Sequence, residues 1–304
     1  MRRLILEEPY SEAAVWGQRL ALFAIALAAI GAIIIRTGAI EVTAGLTVFG
    51  AAIMFACIAL LMAGAGMTVI WRSGRKGIGH VASTIFLALA LLALPAWLSF
   101  LAVRLPLLND VTTDVNDPPA FSQNQAALAA RAQRTPSPID ETRRFEQQRA
   151  YPEVQPIVID VEVKEGYLLV SQAVRALGWR LVEEIEPVTK EDVAAQAPQR
   201  PAPQRPAPPA VVARRAGAAP AVPLPPQRPA PVSREPRDGR IDAIARSLIM
   251  GFPDDITIRI RALPDQTRID VRSASRYGRH DFGVNARRIR RFAAELQAQL
   301  DADQ

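Results

Sequence analysis

A chain of 304 residues has room for one large or two modest domains, and half of its residues are hydrophobic. A formal charge of +6, carried mainly by arginine, suits anionic partners: phospholipid headgroups, acidic proteins, phosphates or nucleic acid. The single cysteine, Cys57, lies in an apolar run, which excludes an internal disulfide framework or thiolate metal site; His80 and His280 lie in different regions, which excludes a His-rich one.

The first hundred residues are dominated by Ala, Leu and Ile. Three uncharged stretches run from Leu20 to Ile35 (to about Val15 if Arg19 snorkels), from Val42 to Trp71 and from Val81 to Val103. A spanning helix needs about 20 apolar residues, so all three qualify. Trp16, Trp71 and Trp97 lie near ends of these runs, where an amphipathic ring prefers to sit. Two more apolar runs follow the first, and no convincing small-x-small cleavage site does, which argues against a cleaved signal peptide. Arg2, Arg3 and Arg19 before the first span, and Arg72, Arg75 and Lys76 in the second loop, outnumber Arg36 in the first loop. The bias places the amino terminus inside and everything after the third span outside, in a bacterium the periplasm. No charge lies within a span, so the usual marker of an ion pathway is missing. The presence of spans also argues against a nucleic-acid partner.

Residues 105–156 read as a polar connector. Its start, from Asn109 to Phe121, is turn-rich and acidic. Ser137-Pro138-Ile139-Asp140 has a capping-box pattern that predicts a short helix to about Arg149. Ile157 to Val163 is β-branched and predicts a strand. Tyr167, Leu168, Val170, Val174 and Leu177 follow a helical period closing at Gly178, and Trp179 to Ile185 predicts a second strand.

Residues 187–237 differ in kind. Fourteen of them are proline, and QRPAP occurs three times, starting at Gln199, Gln204 and Gln227. Such a segment cannot bury a core and is expected to be disordered, with polyproline character. The stretch before it is too short to fold alone, so it reads as an insertion within one domain formed by 157–186 and 238–302.

Beyond it, Ile256, Ile258 and Ile260 alternate with Thr257, Arg259 and Arg261. After Pro264-Asp265, Ile269 and Val271 alternate with Arg268, Asp270 and Arg272, which predicts an antiparallel hairpin with one apolar and one charged face. Ile289, Phe292, Ala293, Leu296 and Leu300 form the buried stripe of a terminal helix, with Asn285 as its expected N-cap. Ile241 to Met250 fits either a helix or a strand.

The charged hairpin face bears Arg259, Arg261, Arg268 and Arg272 with only Asp270 among them, and like charges across strands need neutralising. Arg287, Arg288, Arg290 and Arg291 crowd a helix start, where the macrodipole disfavours cations. Three readings are open. Asp254, Asp255, Asp270 and Asp281 could pair with these arginines internally. An external anion could be held by Arg259, Arg272, Ser273, Ser275, Arg276, Arg279, Asp281, Asn285, Arg287 and Arg288. Asp254 and Asp255, with Asp281, could work as acid–base groups on an anionic substrate. Ser273 and Ser275 lie near His280 in sequence, a weak nucleophile–base signal. There is no GxSxG elbow, Walker loop, GxGxxG or HExxH.

GFPDDITIRIR, RIDVRSASRYGRHDFGVNARRIRRF, Gly178-Trp179, NDVTTD and YPEVQPI together resemble the domain of unknown function 1499 family, over roughly 105–186 and 238–302. The resemblance implies a domain identity and a frequent membrane or envelope setting in bacteria and plastids. It implies no established reaction, and it favours a strand over Ile241–Met250. The expected architecture is three transmembrane helices followed by an α+β soluble domain, with an antiparallel sheet of about four strands and two helices. The expected function is a non-enzymatic envelope binding or scaffolding module in the bacterial inner membrane, with a hydrolase-like enzyme on an anionic envelope substrate as the alternative. Its expected partners are the lipid bilayer and an anionic lipid or acidic envelope protein, without a cofactor or nucleic acid.

Overall fold

The computed structural model describes residues 9–38, 41–136, 138–195, 235–247 and 250–302. Three helices open the chain: α1 (Glu12–Thr37), α2 (Val42–Ser73) and α3 (Ile78–Arg104), each long and apolar enough to cross a membrane. The buried positions of α1 are Ala14, Gly17, Ala21, Ala24, Ala28, Gly31 and Ile35, a heptad stripe of small residues that ends on Ile35. A matching stripe on α2 includes Gly45, Ala52, Ala56, Ala59, Ala63 and Gly66. Small residues let the backbones approach, which is how helices associate where lipid removes the hydrophobic drive. A Cβ on Gly66 would lie 2.9 Å from the Ala14 nitrogen, so that approach leaves no room for a side chain.

The rest is α+β. Among the described residues six strands form one antiparallel sheet: β1 (Asp110–Thr112), β2 (Ile157–Ile159), β3 (Arg180–Ile185), β4 (Gly239–Arg246), β5 (Pro253–Leu263) and β6 (Gln266–Ser275). The order is β1-β6-β5-β4-β3, with β2 pairing the other half of β6 beside β1. Helices α4 (Gln125–Ala130), α5 (Glu141–Ala150), α6 (Val163–Ala176), α7 (Lys190–Ala195) and α8 (Val284–Ala302) complete it.

Strand alternation sorts the sheet into two faces. Ile241, Ala243, Ile256, Ile258, Ile260, Ile269 and Val271 pack with Tyr167, Val170 and Val174 of α6 and with Ile289, Phe292 and Leu296 of α8 in the main core. Gly166 lets α6 lie directly on β6, since a Cβ there would sit 2.8 Å from Thr267 Cγ2. The end of α6 is a Schellman turn: Gly178, at φ +67°, donates to the Arg175 carbonyl, and the Trp179 nitrogen donates to the Val174 carbonyl. Trp179 then stacks on Phe292 at 5.8 Å.

Several expectations shift. The sheet has six strands rather than about four, because β1 and β2, of three residues each, add to the edge of β6. The strand expected over 157–163 stops at Ile159, and Val163 opens α6. Leu168 is exposed, and Leu169 takes the inward position. Ile241 lies in a strand, β4. The short helix starts at Glu141 and is capped by Asp140, which accepts from the Arg143 nitrogen; Ser137 lies outside the described residues. Most of the expected disordered insertion, 196–234, also lies outside them. Its flanks meet: Val188 and Arg237 exchange two backbone hydrogen bonds of 3.0 Å.

Candidate functional site

The face of the sheet turned away from α6 and α8 carries the charged residues, and the connector lies across it. Asp270, wholly buried, accepts from Arg259 at 3.0 Å, Arg261 at 2.7 Å and Arg268 at 2.9 Å. Asp114 and Asp117, in the loop after β1, complete the neutralisation: Asp114 accepts from Arg268 at 2.5 Å, and Asp117 from Arg259 at 2.8 Å. Burial works against ionised Asp114. The backbone N–H groups of Asp117 and Asn116, with Arg268 and Arg259, outweigh it and hold the carboxyl below its usual range. Arg272 takes Asp110 through two nitrogens, at 3.0 and 2.7 Å, and its guanidinium lies 5.1 Å from the Phe121 ring centre. Arg276 takes Asp255 in the same fork geometry, with a closest approach of 2.6 Å, and also donates to the Ala130 carbonyl.

The face toward α8 carries a second network, at the end of the sheet nearest Leu108 and Asn109. Arg288 donates to Asp254 at 2.5 Å, to Ser273 Oγ at 2.9 Å and to Asn285 Oδ1 at 2.6 Å. Ser273 Oγ donates to the same Asn285 oxygen at 2.7 Å. The Asn285 amide nitrogen donates to Ser275 Oγ and to the Asn109 carbonyl. Asn285 was the expected N-cap, but it sits inside α8 and serves this network instead. Asp281 does the capping: its two carboxylate oxygens accept from the Gly283 and Asn285 nitrogens, both at 2.8 Å. The left-handed residues Phe282 and Gly283 make the turn that brings Asp281 over the helix start.

Asp254 and Asp255 are consecutive in β5. They therefore project from opposite faces, Asp254 to Arg288 and Asp255 to Arg276, and the sheet separates them. Two carboxylates so arranged do not act on one substrate atom. His280 stacks on Phe282 at 4.6 Å, accepts from the Phe282 nitrogen on Nδ1 and approaches the Leu105 carbonyl with Nε2 at 3.3 Å. The hydroxyls of Ser273 and Ser275 go to Asn285 and Arg288, so no serine–histidine pair forms.

Among the described residues Arg279, Arg287 and Arg291 are exposed, and none of them forms an ion pair. Arg290 pairs with Glu153 at 2.7 Å. The expected site residues thus divide into an internally paired set (Arg259, Arg272, Arg276, Arg288, with Ser273, Ser275, Asp281 and Asn285) and an open set (Arg279 and Arg287).

Residues absent from the sequence-based site occupy its centre. Asp110, Asp114 and Asp117 supply counter-charges, and the acidic density of NDVTTDVND was the signal for them. Asp242, buried in β4, accepts from the Ser122 nitrogen at 2.8 Å and lies 3.7 Å from Arg131, itself buried and hydrogen-bonded to the Ser122 carbonyl. Burial pushes the carboxyls of Asp242 and Asp255 up, against the pull of the Ser122 and Thr257 donors and of Arg276 respectively. The crevice beside them, lined by Phe121, Arg131, Asp242 and Asp255 among others, is too narrow to admit a water molecule. Among the described residues no group of three or more His, Cys, Asp or Glu is arranged to hold a metal ion.

The family model described as a protein of unknown function, DUF1499, matches residues 110–296. No curated protein and no solved structure matches the chain.

Proposed function

We propose, from the premise that the chain belongs to the DUF1499 family of proteins of unknown function, that it is a membrane-anchored, non-enzymatic binding or scaffolding module of the bacterial envelope. The observation that carries this reading is the fate of the polar residues in RSASRYGRHDFGVN, Arg272 to Asn285, the signature that carries the family resemblance. Arg272, Ser273, Ser275, Arg276, Asp281 and Asn285 all spend their polar groups on internal partners. A catalytic group needs a free face toward substrate and a space to hold it; these residues hold the domain together instead. What stays open is the exposed set Arg279, Arg287 and Arg291, of which Arg287 lies near Leu105 just past α3, and it is there that the module takes its anionic lipid or acidic partner. The excess of basic residues before the first span and in the second loop supports a periplasmic domain on an inner-membrane anchor.

Two experiments test this. Alkaline phosphatase fused after Gln304 is expected to be active, and a fluorescent protein that folds only in the cytoplasm to stay dark; the reverse pattern sinks the periplasmic assignment. Detergent-solubilised chain is expected to carry anionic lipid or an acidic envelope protein, identified by mass spectrometry and lost on replacing Arg279, Arg287 and Arg291 together by Gln. Turnover of an anionic envelope substrate that Asp255→Asn abolishes would establish the hydrolase-like alternative instead.

A further inference from the structure

Three groups approach one point at the end of α3. A Cβ built on Gly283 would meet Arg287 Nη1 at 3.1 Å, Leu105 Cδ1 at 3.2 Å and the Tyr151 hydroxyl at 3.3 Å. Tyr151 is only 6% exposed, and its hydroxyl has no hydrogen-bond partner. A buried donor left unmade is unusual enough to ask what it serves. Burial also pushes the phenol's pKa up, so the hydroxyl keeps its proton and stays a donor. Beside it the Arg287 guanidinium is exposed and forms no ion pair.

Depth identifies the class of occupant. Leu105 directly follows Arg104, the last residue of α3, so this corner sits where the third helix would leave a bilayer. Gly251, in the loop between β4 and β5, abuts Arg36 at the end of α1, which brings the same edge of the domain to the same end of the helices. Phe100, Val103 and Leu107, all exposed, offer an apolar track down α3 and just past its end, and Arg104 lies over the Phe100 ring. The N-terminus of α8 does not itself hold the anion, because Asp281 already occupies its Gly283 and Asn285 nitrogens. The ligand lies beside it.

We propose that this corner binds the phosphate of an anionic phospholipid headgroup, with Arg287 as its charge partner and the Tyr151 hydroxyl as its hydrogen-bond donor. The assignment rests on the reading that the open arginines take an anion, and it names the anion and two of its contacts. A guanidinium fork suits a phosphodiester, and charge-assisted hydrogen bonds are the stronger kind. The acyl chains would follow the apolar track, which a free phosphate would leave unused.

The test titrates the full chain in neutral detergent with phosphatidylglycerol, phosphatidylcholine or inorganic phosphate, and follows binding by native mass spectrometry. Phosphatidylglycerol is expected to bind about tenfold more tightly than phosphatidylcholine, with Arg287→Gln and Tyr151→Phe each weakening it by about tenfold. Tyr151→Phe keeps the ring, and Arg287 is exposed, so both variants are expected to retain the parent's thermal transition. Equal binding of the two lipids, or wild-type affinity in both variants, overturns the proposal. So does inorganic phosphate binding that is sensitive to both variants while the lipid is not taken up. If Arg279→Gln with Arg291→Gln weakens anionic lipid and Arg287→Gln does not, this corner fails while the broader anion-binding reading survives.

Discussion

Arg272 and Asp110 form a fork-to-fork ion pair across 162 residues of sequence, with a closest approach of 2.7 Å. Both are under a tenth exposed. Asp110 opens β1, which pairs with β6 in register Asp110↔Ala274 and Thr112↔Arg272, so one strand pairing brings acid and base together. Sheet pairing and charge pairing therefore fix each other. If β1 slipped by one residue, Asp110 would turn to the opposite face.

Breaking one partner of a buried pair leaves the other charged and unpaired, at a cost of about 3–5 kcal/mol. Arg272→Gln, Arg276→Gln and Arg288→Gln, which strand Asp110, Asp255 and Asp254, are each expected to lose stability on that scale. Arg287→Gln, made at an exposed residue without an ion pair, is expected to stay within about 0.5 kcal/mol. Urea denaturation followed in the near ultraviolet, to which Trp179 stacked on Phe292 contributes from the domain, measures the loss. A uniform response across the four variants would remove the division into paired and open arginines.

Asp114 gives the domain a pH dependence of defined sign. Its native pKa lies below that of an ordinary aspartate, so the native state binds fewer protons there than the unfolded chain. The stabilisation is present above the unfolded value and is lost as pH falls through the lowered native one, in a window below about pH 4. Asp242 and Asp255, with raised values, act in the opposite sense: they favour the native state at low pH and lose that contribution as pH rises through their native values. The contribution of Asp114 is therefore read as a difference. Wild type is expected to lose more stability than Asp114→Asn between pH 5.5 and pH 3, by urea midpoints; equal losses would mean that the connector loop is not held to Arg268 and Arg259 in solution.

The Val188–Arg237 bridge ties the entry and exit of the proline-rich segment together, and the Arg237 Nε also donates to the Glu186 carbonyl. Deleting Ala197 to Pro231 then shortens a segment whose two flanks are already held together. Loop-closure entropy favours the shorter chain by only about 1 kcal/mol. The thermal transition of the deletion variant is expected within a few degrees of the parent, on the high side. Loss of cooperative unfolding would show that the segment contributes packed structure.

The parts of this fold that were legible in the sequence are those whose burial repeats along the chain. The three apolar runs, the Ile256–Ile258–Ile260 and Ile269–Val271 alternation and the Ile289–Leu296 stripe each write their environment in a period. β1 does not. Three residues, Asp-Val-Thr, carry no period, and they form a strand only because β6 offers a free edge. The counter-charges were hidden for a similar reason: the arginines of β5 and β6 meet acids some 150 positions earlier, a pairing set by topology. Asn285 reads as a cap because it is the nearest cap-type residue before the apolar stripe of α8. The left-handed turn at Phe282 and Gly283 lets Asp281, four residues back, reach over it. The pairing of Asp255 with Arg276 was open to inference from charge alone; its separation from Asp254 needed only the recognition that 253–263 is one continuous strand.

Asn285 tests whether the signature is architectural. It is wholly buried, its oxygen accepts from Ser273 and Arg288, and its nitrogen donates to Ser275 and the Asn109 carbonyl. Asn285→Ala leaves all four groups short of a partner in a buried place, and a loss of about 3 kcal/mol is expected. Asn285→Asp has nearly the same shape and still accepts from Arg288. It sets a carboxylate oxygen against the Asn109 carbonyl, where the amide had donated at 3.1 Å, and adds a negative charge near Asp254 and Asp281. A comparable loss is expected at pH 7, partly recovered at pH 5, because a carboxyl destabilised in its charged form takes up a proton and regains a donor. Urea midpoints at the two pH values measure this, with hydrogen exchange of the first turn of α8 as the local report. If both variants unfold at the parent's midpoint, Asn285 is free to serve a ligand, and the internal-network reading of the signature falls with it.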